Sequence, residues 1–211
     1  MHTKVKICGL TRLPDALAAV EAGADALGFM FFAGSKRHLT AAAAAQIIHA
    51  LPPFVAKVGV FVNASADAVR ATVAECGLDT LQFLGEETPE FCRQFAPLKV
   101  IKAFRIQNAE SLKPLPDYAV DAWLLDSYVP GQRGGTGEKF NWELAAQAKE
   151  LGRPVILAGG LTPENVADAV QQVWPFGVDV SSGVESALGQ KDAGLVRRFV
   201  EIVREMEQEI G

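Results

Sequence analysis

The residue of this chain best suited to reactive chemistry is Cys8, which ends the short β-branched run from Lys4 to Cys8. The alternation of side chains along a strand puts Lys6 on the same face as Cys8. An ammonium group this close is expected to lower the pKa of the Cys8 thiol and to favour the reactive thiolate. The alternative is a buried cysteine that packs as a small hydrophobe, which suits Cys76 and Cys92 better.

A second candidate is Asp126, the last residue of the apolar run from Ala122 to Asp126. Ala122 and Leu124 share its face and carry no charge, so desolvation is expected to raise the pKa of its carboxyl group. A group favoured in its ionised form and one favoured in its neutral form can serve together as base and acid near neutral pH. Such a pair favours proton transfer at carbon, an isomerisation rather than a hydrolysis. The alternative is a carboxylate that only caps a turn.

Two runs of small residues near the end of the chain predict a phosphate site. They follow the last two predicted strands, and bare backbone N–H groups at such positions concentrate partial positive charge. Glycines that serve only close packing are the alternative. A further glycine-rich segment, 131–137, follows Asp126 and is predicted to close over bound product as a lid. The residues predicted to bind phosphate are Gly159, Gly160, Ser181, Ser182 and Gly183.

Two more side chains are predicted to lie near the same site. Arg37 follows the second predicted strand, where its guanidinium could bind a carboxylate through two N–H groups or remain a solvated loop residue. Gln82 lies at the end of the fourth predicted strand. The histidines at positions 2, 38 and 49 lack the spacing of metal ligands, so we expect no metal.

The elements that must position these residues alternate regularly along the chain. Short β-branched runs alternate with amphipathic helical patterns, and eight βα units favour a closed (β/α)8 barrel over an open doubly wound sheet. In a barrel the site lies at the carboxyl ends of the strands. Helix caps are predicted at Ser65, Asn141 and Thr162, the last with Pro163 as first helical residue. The predicted strands are Lys4–Cys8, Ala26–Phe31, Ala56–Val62, Thr80–Phe83, Lys99–Phe104, Ala122–Asp126, Pro154–Ala158 and Val178–Ser181. The predicted helices are Leu13–Ala22, Thr40–Ala50, Ala66–Cys76, Pro89–Gln94, Asn141–Leu151, Pro163–Val173 and Asp192–Glu209.

The composition is that of a globular α/β protein. The chain has 211 residues, of which 49% are hydrophobic and 21% charged, and we expect a single domain over residues 1–211. The net charge of -5 indicates neither a nucleic-acid partner nor an anionic membrane surface. An odd number of cysteines argues against a disulfide framework, and the absence of a secretory pattern predicts a cytoplasmic protein.

Several segments together resemble the phosphoribosylanthranilate isomerase family. The resemblance covers nearly the whole chain and implies a (β/α)8 barrel that performs an Amadori rearrangement of N-(5-phosphoribosyl)anthranilate, a small phosphorylated substrate, without a cofactor. It leaves monomer and homodimer open. The resembling segments are 6–11 (KICGLT), 28–29 with 35–37 (GF and SKR), 59–63 (GVFVN), 124–127 (LLDS), 134–137 (GGTG), 157–161 (LAGGL) and 179–185 (DVSSGVE).

The resemblance also implies roles for single residues. Asp126 would protonate the furanose oxygen as the ring opens to a Schiff base, and Cys8 would remove the C2′ proton. Arg37 would hold the anthranilate carboxylate and Asp179 would orient the sugar. The chain departs from the family pattern at Leu84, where a histidine is usual, and at Lys36, where a proline is usual.

Two other classes stay open. Related phosphosugar barrels, such as indole-glycerol-phosphate synthase or the isomerase of the histidine pathway, would share the phosphate site but carry a lysine or an aspartate in place of Cys8. A non-catalytic barrel that binds a phosphorylated metabolite would keep the glycine runs without needing both Cys8 and Asp126.

Overall fold

A closed barrel of eight parallel strands forms the centre of the molecule in the computed structural model, which describes residues 2–126 and 142–210. Each strand pairs with the next along the chain and β8 pairs with β1, so the predicted (β/α)8 barrel is confirmed. The strands are β1 (Lys4–Cys8), β2 (Ala26–Met30), β3 (Ala56–Phe61), β4 (Thr80–Phe83), β5 (Lys99–Arg105), β6 (Ala122–Asp126), β7 (Val155–Ala158) and β8 (Gly177–Val180).

Alternation along the strands separates two apolar regions. Val5 and Ile7 of β1 are fully buried in the large cluster that lies between barrel and helices. Lys6 and Cys8 therefore point into the barrel, as predicted from the period of two. A small aliphatic cluster from β5, β6 and β7 fills the barrel itself, with Leu84 packed against it. Its buried members are Ile101, Ala103, Ala122, Leu124, Ile156 and Ala158.

Seven α-helices surround the barrel in the described part of the chain. Ser65 caps α3 as predicted, its hydroxyl accepting the N–H of Ala68 at 3.3 Å. The helices are α1 (Leu13–Glu21), α2 (Ala41–Ile48), α3 (Ala66–Cys76), α4 (Pro89–Arg93), α5 (Trp142–Lys149), α6 (Val166–Val173) and α7 (Ala193–Ile210).

The predicted start of α6 is wrong. Thr162 and Pro163 precede the helix in a turn, and α6 begins at Val166 with Asn165 at the N-cap position. The side-chain Oδ1 of Asn165 accepts the N–H of Thr162 at 2.8 Å, which closes that turn and delays the helix. The predicted cap at Asn141 and the predicted lid at 131–137 lie outside the described residues.

Two connections carry structure that the sequence patterns do not predict. Between β5 and β6 the chain forms two 3₁₀ turns, Ala109–Leu112 and Leu115–Asp117, which bury Leu112 and Leu115. After β8, a 3₁₀ turn leads into a short antiparallel hairpin of β9 (Glu185–Ala187) and β10 (Gln190–Lys191). This hairpin brings two charged residues to the mouth of the barrel.

Candidate active site

A cavity of about 520 Å³ lies at the carboxyl ends of the strands. All ten residues that the sequence predicts for the site line it, together with Leu84 and Lys36. The loops after β1, β2, β7 and β8 meet there, as expected for a barrel mouth. The ten are Cys8, Arg37, Gln82, Asp126, Gly159, Gly160, Asp179, Ser181, Ser182 and Gly183.

A larger cavity, of about 630 Å³, lies at the opposite mouth. Its wall is mostly aliphatic and aromatic, with Phe54 and Phe176 at the surface. The carboxylates of Asp25 and Asp121 in its wall are bound to the backbone N–H groups of Val5 and Val100, at 2.8 and 2.9 Å. The reactive side chains line the smaller cavity, so size does not decide which cavity is the site.

Cys8 lies at the bottom of the smaller cavity and is 7% exposed. Gly28 on the neighbouring strand makes room for it, because a Cβ there would lie 2.7 Å from the Cys8 sulfur and 3.0 Å from the Lys6 Nζ. Lys6 Nζ is also 2.9 Å from a carboxylate oxygen of Asp179 on β8. The thiol, the ammonium and the carboxylate therefore form one buried cluster.

The sequence predicts a lowered pKa for the Cys8 thiol, and this prediction is wrong. Desolvation by burial raises the pKa of the Cys8 thiol, and Asp179 adds to the rise, while the attraction of the Lys6 ammonium does not outweigh them. Burial alone would lower the pKa of Lys6, but the carboxylate of Asp179 and the nearby sulfur raise it overall. Lys6 is thus held as an ammonium ion, and its charge is shared between Asp179 and Cys8.

Asp126 ends β6, which β7 and β8 separate from β1 around the barrel, and it is half-buried in the wall of the same cavity. In the parallel register it pairs with Ala158 on one side and Arg105 on the other. Cys8 and Asp126 thus line one cavity from two separate strands. The predicted rise in the pKa of Asp126 stays a prediction.

The Arg37 guanidinium is held by a carboxylate of the protein. Its Nε and one terminal nitrogen donate to the two oxygens of Glu185, at 2.7 and 2.6 Å. Lys191 Nζ donates to the same carboxylate at 3.0 Å and to the backbone oxygen of Ser181 at 2.9 Å. The sequence prediction assigned no role to Glu185 or Lys191. Arg37 and Glu185 are 148 positions apart, so no local pattern could have indicated their contact, whereas Lys191 lies only 6 residues after Glu185.

The turns after β7 and β8 provide the backbone surface predicted for phosphate. Gly159 and Gly160 have φ values of +85° and +65°, a left-handed conformation that side chains other than glycine rarely adopt. Gly183 packs so closely on the backbone oxygen of Leu161 that a Cβ there would overlap it. Ser182 begins a 3₁₀ turn directly after β8. The two turns are therefore in contact.

Gln82 is a buried polar side chain in the wall of the cavity, 3% exposed. Its amide oxygen is enclosed and has no hydrogen-bond partner in the described part of the chain. The loop after β4 is held from behind, because Lys102 Nζ donates to the backbone oxygen of Gly85 at 2.6 Å and to Glu87 at 3.0 Å. Both charged side chains of this pair are at least 97% buried, and sequence analysis did not predict the pair.

The family model for N-(5′-phosphoribosyl)anthranilate (PRA) isomerase matches residues 5–202. The chain belongs to the PRA isomerase family. The PRA isomerase of Geobacter sp. (strain M21) is 59% identical over 198 residues, which are 94% of this chain and 96% of the relative. As a member of this family the protein is an isomerase of tryptophan biosynthesis.

Solved PRA isomerase structures share the whole fold. The enzyme from Thermotoga maritima superimposes with a TM-score of 0.91 at 42% identity, covering 96% of this chain and 99% of the other. A second PRA isomerase structure, 40% identical with a TM-score of 0.88 and the same coverage, contains reduced 1-(o-carboxyphenylamino)-1-deoxyribulose 5-phosphate. Within the described residues, no helix combines the length and apolar character that crossing a membrane requires.

Proposed function

We propose that the cavity at the carboxyl ends of the strands performs the Amadori rearrangement of N-(5′-phosphoribosyl)anthranilate, with Cys8 as general base and Asp126 as general acid. The observation that carries the proposal is that a buried thiol and a carboxyl group line one cavity whose third side is bare, glycine-rich backbone. The structure with the bound reduced product analogue supports the same substrate class for this chain.

The reaction proceeds in balanced proton steps. Asp126 donates its proton to the furanose oxygen while the C1′–O bond breaks, which leaves a protonated Schiff base. Cys8, as thiolate, removes the C2′ proton, and the C–H electron pair forms the C1′–C2′ double bond of an enolamine while the C1′=N pair moves to the nitrogen. In the tautomerisation that follows, the C2′ hydroxyl loses its proton and C1′ gains one, which gives the ketone. The substrate and the product are isomers, so the reaction needs no external oxidant or reductant, and we expect turnover without an added cofactor and in the presence of a chelator.

The raised pKa of Cys8 fits the role of a base in a dry site. At neutral pH the thiol is largely protonated in the unliganded protein, so the reactive fraction is small. A thiolate that forms in this environment is poorly solvated and is a stronger base than an exposed one. The ammonium of Lys6, packed with Cys8 against Gly28, compensates part of the charge that develops.

The two ends of the substrate have matching walls. We assign the phosphate to the backbone of Gly159, Gly160 and Gly183 and to the hydroxyls of Ser181 and Ser182, because backbone N–H groups and hydroxyls bind such anions well. The aliphatic side chains of Leu84 and Leu124 line the cavity beside Asp126 and suit an aromatic ring. The part of the cavity that we assign to the aromatic ring is thus apolar at Leu84.

We assign the remaining polar contacts of the substrate to hydrogen-bonding groups of the cavity wall. The enclosed amide oxygen of Gln82 suits a hydrogen-bond donor of the bound substrate, since a buried acceptor without a partner is costly. Asp179, which is 9% exposed, has a second oxygen for a sugar hydroxyl beyond the one that faces Lys6. Arg37 supplies a cation for the anthranilate carboxylate, while Glu185 fixes the direction of its side chain.

The test is the loss of substrate fluorescence on mixing with phosphoribosylanthranilate. Cys8→Ala and Asp126→Asn should each abolish most turnover, while Cys76→Ala and Asp168→Asn serve as matched controls away from the cavity. A barrel that only binds a metabolite would show no turnover in the unmodified protein. Retention of full turnover by either site variant would contradict the assigned acid and base.

The setting of the reaction is also part of the proposal. The three cysteines are free and buried, which suits the reducing cytoplasm. The proposed partner is the small phosphorylated substrate, and nothing in the net charge of -5 favours nucleic acid. The choice between monomer and homodimer stays a prediction that sedimentation would decide.

A further inference from the structure

Three charged side chains form a network behind the wall of the active-site cavity. Arg37 binds both oxygens of Glu185, and Lys191 Nζ binds one of them at 3.0 Å. The side chain of Arg37 is 22% exposed, that of Glu185 6% and that of Lys191 1%. Glu185 and Lys191 come from the hairpin after β8 and do not line the cavity themselves.

The network lies against both the base and the phosphate turns. The aliphatic part of Arg37 crosses directly over Gly9, the neighbour of Cys8, where a Cβ would overlap Arg37 and lie 2.9 Å from the Ser181 hydroxyl oxygen. Lys191 Nζ donates to the backbone oxygen of Ser181 at 2.9 Å. The buried ammonium therefore binds the backbone of Ser181, a residue whose hydroxyl we assign to the phosphate.

The charges of the network do not cancel. Arg37 alone would neutralise Glu185, and the addition of Lys191 leaves one net positive charge among these three side chains. The nearby carboxylate of Asp15, which accepts the backbone N–H of Lys191 at 3.0 Å, has Arg12 as its own cationic partner at 3.9 Å. The other buried pair beside Cys8, Lys6 with Asp179, is neutral. Burial of an ammonium is costly and lowers the pKa of Lys191, even though Glu185 opposes this shift. A structure that needed only to fix Arg37 would not require this second buried cation.

We propose that Lys191 is a positioning residue of the isomerase: it holds Glu185, and through it Arg37, and it gives the site its surplus positive charge. This inference rests on the roles proposed above for Cys8 and Arg37. The substrate carries a phosphate and a carboxylate, and the reaction develops a thiolate, so a surplus cation favours both binding and the ionised base.

The prediction for Cys8 depends on the charged groups that face it. Lys6 on β1, Arg37 after β2 and Lys191 on β10 favour the thiolate, and Asp179 on β8 opposes it. Three other charged groups line or adjoin the cavity: Asp126 is on β6, Lys36 follows β2, and Glu185 is bound to Arg37. Removing a positive charge should raise the pKa of the thiol, and removing a negative charge should lower it.

Lys191→Met and Glu185→Gln should therefore shift the pKa of the Cys8 thiol in opposite directions. The thiol of Cys8 is titrated in the full-length protein through the ultraviolet absorbance of the thiolate, with the Cys8→Ala version of each variant subtracted. We expect the pKa to rise in Lys191→Met, to fall in Glu185→Gln and to stay near its original value in Lys191→Arg. Loss of structure would move both variants in the same direction.

Binding of inorganic phosphate gives the second readout. Lys191→Met should weaken it about tenfold, equivalent to about 1.4 kcal/mol, and Lys191→Arg should restore most of the affinity. Glu185→Gln should not weaken it, although kcat/KM should fall because Arg37 loses its support. If Lys191→Met fails to fold, Glu185→Gln still tests the sign of the thiol pKa.

Two results would overturn the proposal. The first is a Cys8 pKa that moves in the same direction in Lys191→Met and Glu185→Gln, or that does not move in either variant. The second is an unchanged phosphate affinity in Lys191→Met. Neither depends on catalysis. If Cys8→Ala retained turnover, the proposed base would be wrong, but the titration and the phosphate measurement would still decide the role of Lys191.

Discussion

The two mouths of the barrel use carboxylates differently. At the amino-terminal mouth an aspartate precedes each of β2, β4 and β6, and its carboxylate accepts the N–H of the second residue of the strand before. Asp25 binds Val5 in this way, Asp79 binds Lys57 and Asp121 binds Val100. Each of these aspartates also forms a partly exposed ion pair with a lysine or arginine. At the carboxyl-terminal mouth the ion pairs are more deeply buried, as Lys6 binds Asp179 and Arg37 binds Glu185.

The difference teaches which mouth serves stability and which serves chemistry. Carboxylates at the amino-terminal mouth satisfy backbone groups that would otherwise lack partners, and substrate has no part in this. Side chains at the other mouth are buried at a cost that their own contacts only partly offset. Substitutions at the two mouths should separate activity from stability.

The largest expected effect is the loss of activity without loss of stability at the carboxyl-terminal mouth. Cys8→Ala and Asp126→Asn should each reduce kcat/KM by about 10³-fold, the scale of a lost general base or acid. The free energy of unfolding, measured with denaturant, should change by less than about 1.5 kcal/mol, because both changes nearly preserve volume. A parallel fall in stability would undo the contrast between the two mouths.

The converse effect is expected at the amino-terminal mouth. Asp25→Ala removes the acceptor for the Val5 N–H at 2.8 Å and for Arg204 at 2.8 Å, and should cost about 2 kcal/mol of unfolding free energy. Once folded, the variant should keep its kcat. Asp79→Ala is the matched control, and it should cost less because the Asp79 carboxylate is 46% exposed. A fall in kcat in either variant would show that the mouths are coupled.

Gln82 sharpens the comparison within the active site itself. Gln82→Leu removes a buried amide oxygen without a partner, so the variant should gain about 1 kcal/mol in stability. If the amide meets a polar group of the substrate, kcat/KM should fall about tenfold at the same time. Gln107→Leu, at an exposed position after β5, is the control. A variant that is both stabilised and fully active would remove Gln82 from the site.

The sequence predicts those features of the two mouths that depend on residues close together along the chain, and it misses contacts between residues far apart along the chain. The strands that end in Cys8 and Asp126 are predicted with their observed bounds, because alternation and a terminal polar residue are local signals. The contact of Arg37 with Glu185 joins residues 148 positions apart, and no local pattern predicts it. The predicted direction of the shift in the Cys8 pKa is wrong for the same reason. Lys6 is visible beside Cys8 in the sequence, whereas the burial that outweighs it comes from the assembled barrel.

The smallest expected effects are those of pH, and at the two mouths they fall in different pH ranges and on different quantities. Burial opposes the ionised form of Asp25, but its hydrogen bonds to Val5, Arg204 and Lys4 lower its pKa overall. A carboxyl group whose pKa is lower in the folded state contributes stability that is complete above its unfolded pKa and lost as pH falls through the folded value. The unfolding free energy should therefore decline in acid, and Asp25→Ala should flatten that decline.

At the other mouth the pH dependence should appear in activity and run towards alkaline pH. Because the pKa of the Cys8 thiol is raised, the thiolate fraction still grows above neutral pH, and kcat/KM should grow with it. Lys6→Met should move the rising limb to higher pH, since an ammonium that favours the thiolate is removed. Measured together, a stability profile that changes in acid and an activity profile that changes in base would assign the two sets of charges to separate tasks. An activity profile that follows the acid limb of stability would mean that folding, and not the thiol, governs the rate.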